Sequence, residues 1–219
     1  MKLKLIKTSN GSHTLYSPEF EEHYHSIHGA IQEAKHVFIN AGFLHCKKNP
    51  ISILDVGFGT GLNAFLTYLE AKNSGKRIHF HTIELYPLDI SLVRKLNYID
   101  ILNPNEKYIF NKLHQVAWNK RKNINNNFTL HKILADLTTY SFNDAFDLVY
   151  FDPFAPDIQP ELWDKKIFRK IYDSLNKEGI ITTYSAKGEV KRTLTNIGYK
   201  VESLPGPLGK REIIRAIKL

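Results

Sequence analysis

From residue 51 onward the chain alternates short apolar runs with helical patterns, which predicts an α/β fold with a largely parallel sheet and helices on both faces. Two further observations support this class. The first apolar run, residues 51–56, passes through Gly57, Gly59 and Gly61 directly into a helical pattern that starts at Leu62. Three later runs end in Glu84, Asp136 and Asp152, at the carboxyl ends of strands, where open α/β sheets hold their ligands.

Residues 1–50 read as an extension ahead of the main domain at residues 51–219. Within it, residues 2–7 and 13–16 flank Asn10-Gly11, a strong hairpin signal, and predict a small antiparallel flap outside the main sheet. A helix is expected over residues 29–41, with Ile31, Ala34, Val37, Phe38 and Ala41 at helical spacing. His23, His25 and His28 have no carboxylate or thiol to complete a ligand set, so no metal is expected. The second main strand is residues 77–83. Helices follow at 88–96 and 106–118, and a basic, Asn-rich link at 119–127 leads to the third strand, 128–135. Residues 146–151 form the fourth strand, 160–176 a helix, 179–184 the fifth strand and 189–197 a short helix. A terminal strand pair, 199–204 and 212–217, should insert an antiparallel strand and complete seven.

Composition narrows the function classes. Hydrophobic residues make up 42% and aromatics 12% of 219, a globular composition. No run approaches a membrane helix, and the first seven residues do not resemble a signal peptide. The single cysteine, Cys46, excludes an internal disulfide and fits a reducing, cytoplasmic setting. The net charge is +8, and residues 185–219 hold eight Lys/Arg against three Glu. Lys120, Arg121, Lys122 and Lys132 add a second basic cluster. Such clusters are the footprint of phosphate-backbone binding, although a solvated basic surface has the same composition.

The glycine turn separates the ligand classes by spacing. Leu62 stands where a dinucleotide fingerprint places its third glycine, and the Gly-Lys-Ser/Thr of a P-loop is absent. Asp55 two residues before Gly57-x-Gly59-x-Gly61 instead resembles motif I of class I S-adenosyl-L-methionine (SAM) methyltransferases, a Rossmann-like α/β class. SAM is the expected cofactor. Asp55, the three glycines and Asn63 belong to the motif segment. The Glu84 carboxylate suits the two ribose hydroxyls. Asp136 suits the adenine amine, with Leu137 covering the ring.

Longer blocks carry a closer resemblance. Tyr24-His25-Ser26, Gly57-Phe58-Gly59-Thr60-Gly61-Leu62-Asn63, Glu84-Leu85-Tyr86-Pro87, Asp152-Pro153-Phe154-Ala155-Pro156, Thr183-Tyr184-Ser185-Ala186-Lys187-Gly188 and Gly209-Lys210-Arg211-Glu212 resemble the methyltransferase half of the bifunctional tRNA 5-methylaminomethyl-2-thiouridine biosynthesis family. Pro153 departs from the family glycine at that position, giving a loop closer to the Asp-Pro-Pro-Phe/Tyr of other amino-group methyltransferases. No flavin-binding oxidase half is expected.

The resemblance implies a stand-alone enzyme that N-methylates the 5-aminomethyl group of the wobble (2-thio)uridine. Its partners would be the tRNA anticodon arm and the enzymes that install the aminomethyl group. It implies Asp152 as orienter and base for the amine, with a carbonyl of Pro153 or Phe154 as second acceptor. Tyr24 and His25 would line the amine pocket, Phe154 would stack on the base, and Lys187, Lys210 and Arg211 would meet phosphates. A polyamine aminopropyltransferase and a non-catalytic RNA-binding module are the competing readings. The first should be acidic, and the second has no use for three strand-end carboxylates.

Overall fold

A computed structural model describes residues 2–219. The chain opens with strands β1 (Lys4–Lys7), β2 (His13–Ser17) and β3 (Glu22–His23), which form a separate antiparallel sheet. The turn between β1 and β2 is tied by Asn10, whose Oδ1 accepts from the Thr8 hydroxyl, the Ser12 hydroxyl and the Ser12 N–H. The expected flap thus gains a third strand. Helix α1 (Ala30–Ala34) widens into a π-helical stretch, Lys35–Phe43, in which the Leu44 N–H reaches the Ile39 carbonyl. Gly42 lets this helix lie close on the main sheet, since a Cβ there would sit 3.2–3.3 Å from Leu148 and Thr182 side-chain atoms.

The main sheet is built from β4 (Ile51–Val56), β5 (Ile78–Glu84), β6 (Lys120–Asn125), β7 (Phe128–Leu134), β8 (Phe146–Phe151), β9 (Leu175–Thr183), β10 (Tyr199–Pro205) and β11 (Glu212–Lys218). Their spatial order is β10-β11-β9-β8-β4-β5-β7-β6. The core strands run parallel, whereas β11 is antiparallel to β9 and β10, and β6 is antiparallel to β7. Residues alternate between the two faces, and both faces are buried. Ile53, Leu148, Tyr150, Ile180 and Ile213 join one core. Leu54, Val149, Phe151, Ile181 and Ile214 join the other. This pattern explains why parallel strands read as continuous apolar runs.

One face carries the α1 region, α2 (Leu62–Ser74) and α5 (Lys107–Gln115); the other carries α6 (Lys165–Ser174) and α7 (Gly188–Ile197). Three short segments replace the two helices expected between residues 88 and 118: α3 (Ile90–Val93), α4 (Tyr98–Leu102) and α5. Asp89 caps α3 through the Ser91 N–H at 2.7 Å. Pro104 stops α4, because a residue before proline is pushed out of helical geometry. The helix expected over 160–176 is likewise divided at Asp164, leaving a 3₁₀ turn, Pro160–Trp163, ahead of α6. Strand β9 starts at Leu175, earlier than expected, across an irregularity at its pairing with Phe146 and Leu148.

The basic link at 119–127 is the main correction. It forms β6 and turns into β7, adding an eighth strand at the sheet edge. Only Ile124 of β6 is buried, so the hydrophobic alternation that reveals a strand is missing. Among the described residues no helix is long and apolar enough to cross a membrane.

The start of α6 can be tested directly. Asp164 Oδ1 accepts from the Lys166 N–H at 2.7 Å, so Asp164→Ala should cost about 1 kcal/mol in urea denaturation. An unchanged midpoint would show that the cap contributes nothing.

Candidate functional site

The chain runs outward from β4 through β5 to β7 and then returns to β8 on the other side of β4, so the strand order reverses between β4 and β8. Ligands of open α/β sheets bind at this reversal, beyond the carboxyl ends. Both flanking turns are fixed by the sheet itself. The Gly57 N–H donates to the Ile83 carbonyl at 3.0 Å, and the Asp152 N–H donates to the Val56 carbonyl at 3.2 Å. Gly57 and Gly61 have φ of 92° and 73°. A Cβ on Gly57 would lie 3.2 Å from the Asp152 carbonyl oxygen, and one on Gly61 would lie 2.5 Å from His114 Nε2. The loop must therefore be bare, and it presents its backbone at the start of α2.

Two cavities meet there. The first, about 310 Å³, is lined by Gly57, Gly59, Glu84, Asp136, Leu137 and Thr138 among others. The second, about 330 Å³, is lined by His25, Glu33, Asp152, Tyr184 and Lys210 among others. Tyr24, Pro153 and Phe154 line both and form the wall between them. Phe154 packs against Phe20 and Tyr24 with ring centroids 5.0 and 5.1 Å apart. The loop after β8 is braced by three further bonds. Tyr184 donates its hydroxyl to the Pro153 carbonyl at 2.8 Å, Trp163 donates its indole N–H to the Phe154 carbonyl at 2.8 Å, and the Phe154 N–H reaches Gln159. Both carbonyls expected to serve an amine are thus engaged within the protein, and the other acids lining that cavity are Glu33 and Glu22.

Acidic groups control the electrostatics. The Glu84 carboxylate accepts from the Gly59 N–H at 3.0 Å and the Tyr86 N–H at 2.8 Å. This leaves lone pairs on both oxygens for a ligand diol. Asp136 Oδ1 takes both Thr138 donors at 2.7 Å, so its other oxygen makes no hydrogen bond among the described residues. Asp55 lines neither cavity. It is buried beneath the loop, where it accepts from Asn63 at 3.3 Å and Thr82 at 3.1 Å, and burial pushes its carboxyl up to about 8. Asn63 also donates to Asp152 Oδ2 at 2.9 Å. Burial, reinforced by Asp55 and Glu33, raises the Asp152 carboxyl well above the usual range. Burial lowers His25 to about 4, so this imidazole is neutral at pH 7; it is bonded to the Thr60 hydroxyl at 2.8 Å.

The three basic residues separate. Lys210 reaches the second cavity, where it pairs with Glu33 at 2.5 Å and lies 4.0 Å from the Tyr184 ring centre. Lys187 pairs with Asp157, and Arg211 is exposed; neither lines a cavity. Sequence reasoning did not single out Phe20, Tyr86, Glu33 or Tyr184 as site residues. Tyr184 lay inside a matching block, and Phe20 lies among the acids Glu19, Glu21 and Glu22. Glu33 had no signal beyond being the one acid in an amphipathic helix.

The sequence profile of a family described as S-adenosyl-L-methionine-dependent methyltransferase matches residues 101–219. The chain belongs to that family, and its cofactor is SAM. The bare glycine cradle and the free acceptors of Glu84 and Asp136 fit this cofactor. Among its relatives are the tRNA 5-methylaminomethyl-2-thiouridine biosynthesis bifunctional proteins MnmC. That of Leptospira interrogans is 29% identical over 92% of this chain and 33% of its own length. That of Campylobacter hominis is 30% identical over 96% of this chain and 32% of its own. The chain thus spans about a third of the curated relatives it matches. The crystal structure of MnmC2 from Aquifex aeolicus superposes with a TM-score of 0.76 at 25% identity, covering 98% of this chain and 69% of that one. Spermidine synthase from Thermotoga maritima shares the fold, with a TM-score of 0.66 at 14% identity over 99% of this chain and 69% of its own.

Two outcomes follow from this geometry. Gly61→Ala, with a Cβ facing His114, should lose more stability than Gly75→Ala, where φ is also positive but nothing lies within 4 Å. Chemical denaturation should give about 1 kcal/mol for the second and clearly more for the first; equal losses would refute the packing argument. Asp55 holds a proton in the folded state up to about pH 8 that it loses near pH 4 when unfolded. Its contribution is complete in acid and disappears as pH rises toward 8, by roughly 1.4 kcal/mol per unit. Between pH 6.5 and 8, Asp55→Asn should therefore flatten the fall of stability by about one proton; an unaltered slope would mean that Asp55 is ionised in the fold.

Proposed function

We propose that this protein methylates a primary aliphatic amine, the 5-aminomethyl group of the wobble (2-thio)uridine of tRNA, to give the methylaminomethyl form. The observation that carries the reading is the pair of cavities meeting at Tyr24, Pro153 and Phe154, with the glycine cradle on one side and Asp152 on the other. The tRNA nucleoside rests on the activity that the MnmC relatives are named for.

Bound SAM supplies an electrophilic methyl group whose bond to sulfur breaks as the amine nitrogen attacks, leaving S-adenosyl-L-homocysteine. The protein's task is to align donor and acceptor in a dry site. Glu84 holds the ribose, Asp136 and Leu137 hold the adenine, and the glycine loop lets them approach. On the acceptor side, an aliphatic amine with a pKa of about 10 arrives mostly protonated and must lose a proton before it attacks. Asp152 accepts that proton. Its raised basicity brings it nearer the operating pH than an ordinary carboxylate, which suits general-base work. Asn63 fixes the carboxylate, and Tyr184 fixes the loop that carries it. Glu33, held by Lys210 and the Ser26 N–H, places a second carboxylate in the same cavity as an acceptor for an amine N–H. Lys210 in the same cavity and the net charge of +8 oppose a polyamine as acceptor.

The decisive assay supplies labelled SAM and tRNA lacking the final methyl group, followed by digestion to nucleosides. Label in methylaminomethyl-uridine is expected. Its absence with folded protein would remove the tRNA assignment, and aminopropyl transfer from decarboxylated SAM to putrescine in a parallel assay would support the polyamine reading instead. Asp152→Asn should retain SAM affinity while kcat falls by about 10²–10⁴-fold; turnover near wild type would refute its role as base. Glu84→Ala should weaken SAM binding in calorimetry by on the order of tenfold or more, and unchanged affinity would overturn the ribose assignment.

A further inference from the structure

On the face of the sheet that carries α6 and α7, three side chains outside both cavities converge. His81 projects from β5, His131 from its register partner on β7, and Asp144 from the segment that leads into β8. One ligand atom from each lies within 4.8 Å of the other two. His81 is only 3% exposed, yet its Nδ1 makes no hydrogen bond and lies 3.4 Å from Asp144 Oδ2. The His131 Nδ1 is buried and likewise without a partner. Buried polar atoms are nearly always satisfied, so two orphaned imidazole nitrogens facing one carboxylate call for a ligand.

We propose that His81, His131 and Asp144 form a binding site for one divalent cation of the zinc class. Two imidazole nitrogens and one carboxylate oxygen suit zinc and its neighbours rather than magnesium or calcium. Each imidazole has a buried Nδ1 that no hydrogen bond engages, free to give its lone pair to a cation. Bonds of about 2.0–2.2 Å place zinc ligands roughly 3.3 Å apart. His81 Nδ1 and Asp144 Oδ2 are already at that separation, so only His131, the half-buried histidine, has to close in. Water takes the remaining position. Arg121 completes the arrangement. Its Nη2 donates to both Asp144 oxygens, at 3.1 and 3.3 Å, and such outer partners orient ligand carboxylates. The cation would clip the segment at residues 135–145 to β5 and β7. That segment begins at the Asp136-Leu137 wall of the cofactor cavity.

The test uses the full chain after chelator treatment, titrated with zinc against a chromophoric chelator and followed by thermal unfolding. One tight equivalent is expected, with Tm raised by on the order of 5–10 °C at zinc a hundredfold above Kd. His131→Ala and Asp144→Asn, both away from the closed core, should each lose that equivalent and the Tm rise while keeping SAM affinity and a metal-free Tm close to wild type. No tight equivalent in the wild-type protein would overturn the site. So would zinc binding that both variants retain, which would place the ion at the histidines near residues 23–28. If a variant's metal-free Tm collapses, Arg121→Ala serves in its place: it should weaken zinc binding severalfold, and unchanged binding would count against the site.

Discussion

One side-chain amide holds the site together. Asn63 Nδ2 donates to Asp55 at the end of β4 and to Asp152 at the end of β8. Two carboxyl groups this close in a buried setting resist joint ionisation, and a shared donor lowers the cost of the charge they do carry. The same helix supplies the next layer down. The Thr67 hydroxyl donates to the Asn63 carbonyl at 2.7 Å and lies 3.2 Å from the Tyr150 hydroxyl of β8. Helix α2 can run along this line because Gly61 turns the chain with positive φ just before it. The glycine loop thus shapes the first cavity and also aims the helix that steadies Asp152 beside the second.

Division of labour between the two cavities follows from which elements reach them. Strand ends supply Glu84, Asp136 and Asp152, rigid positions with fixed spacing. The N-terminal sheet supplies Tyr24 and His25, and the loop between β10 and β11 supplies Lys210. The second cavity is therefore closed by the first and last parts of the chain. The first is built mainly by the middle, with Phe20 and Tyr24 added from the N-terminal part.

The strand order around β4 and the clustering of acids at strand ends were legible because buried parallel strands and strand-end acids leave strong local patterns. Glu33 was not legible: its importance comes from Lys210, which is 177 positions away in sequence and meets it only in the fold. Lys187 looked like a phosphate ligand from charge, yet it spends that charge on Asp157. Asp55 resembled a direct ligand from its place in the motif. Burial places it one layer below, which spacing cannot reveal. The helix break at Asp164 was visible as a residue, but its capping bond outweighed an apolar period that ran straight through it.

Strand β6 has a consequence beyond the sheet count. An outermost strand exposes a row of unpaired backbone groups that a second chain can extend into an aggregate. Here that row carries Lys120, Arg121 and Lys122, all exposed. Another copy approaching edge to edge would bring the same three cations against them. The charges that look like a nucleic-acid footprint thus also keep this open border from growing.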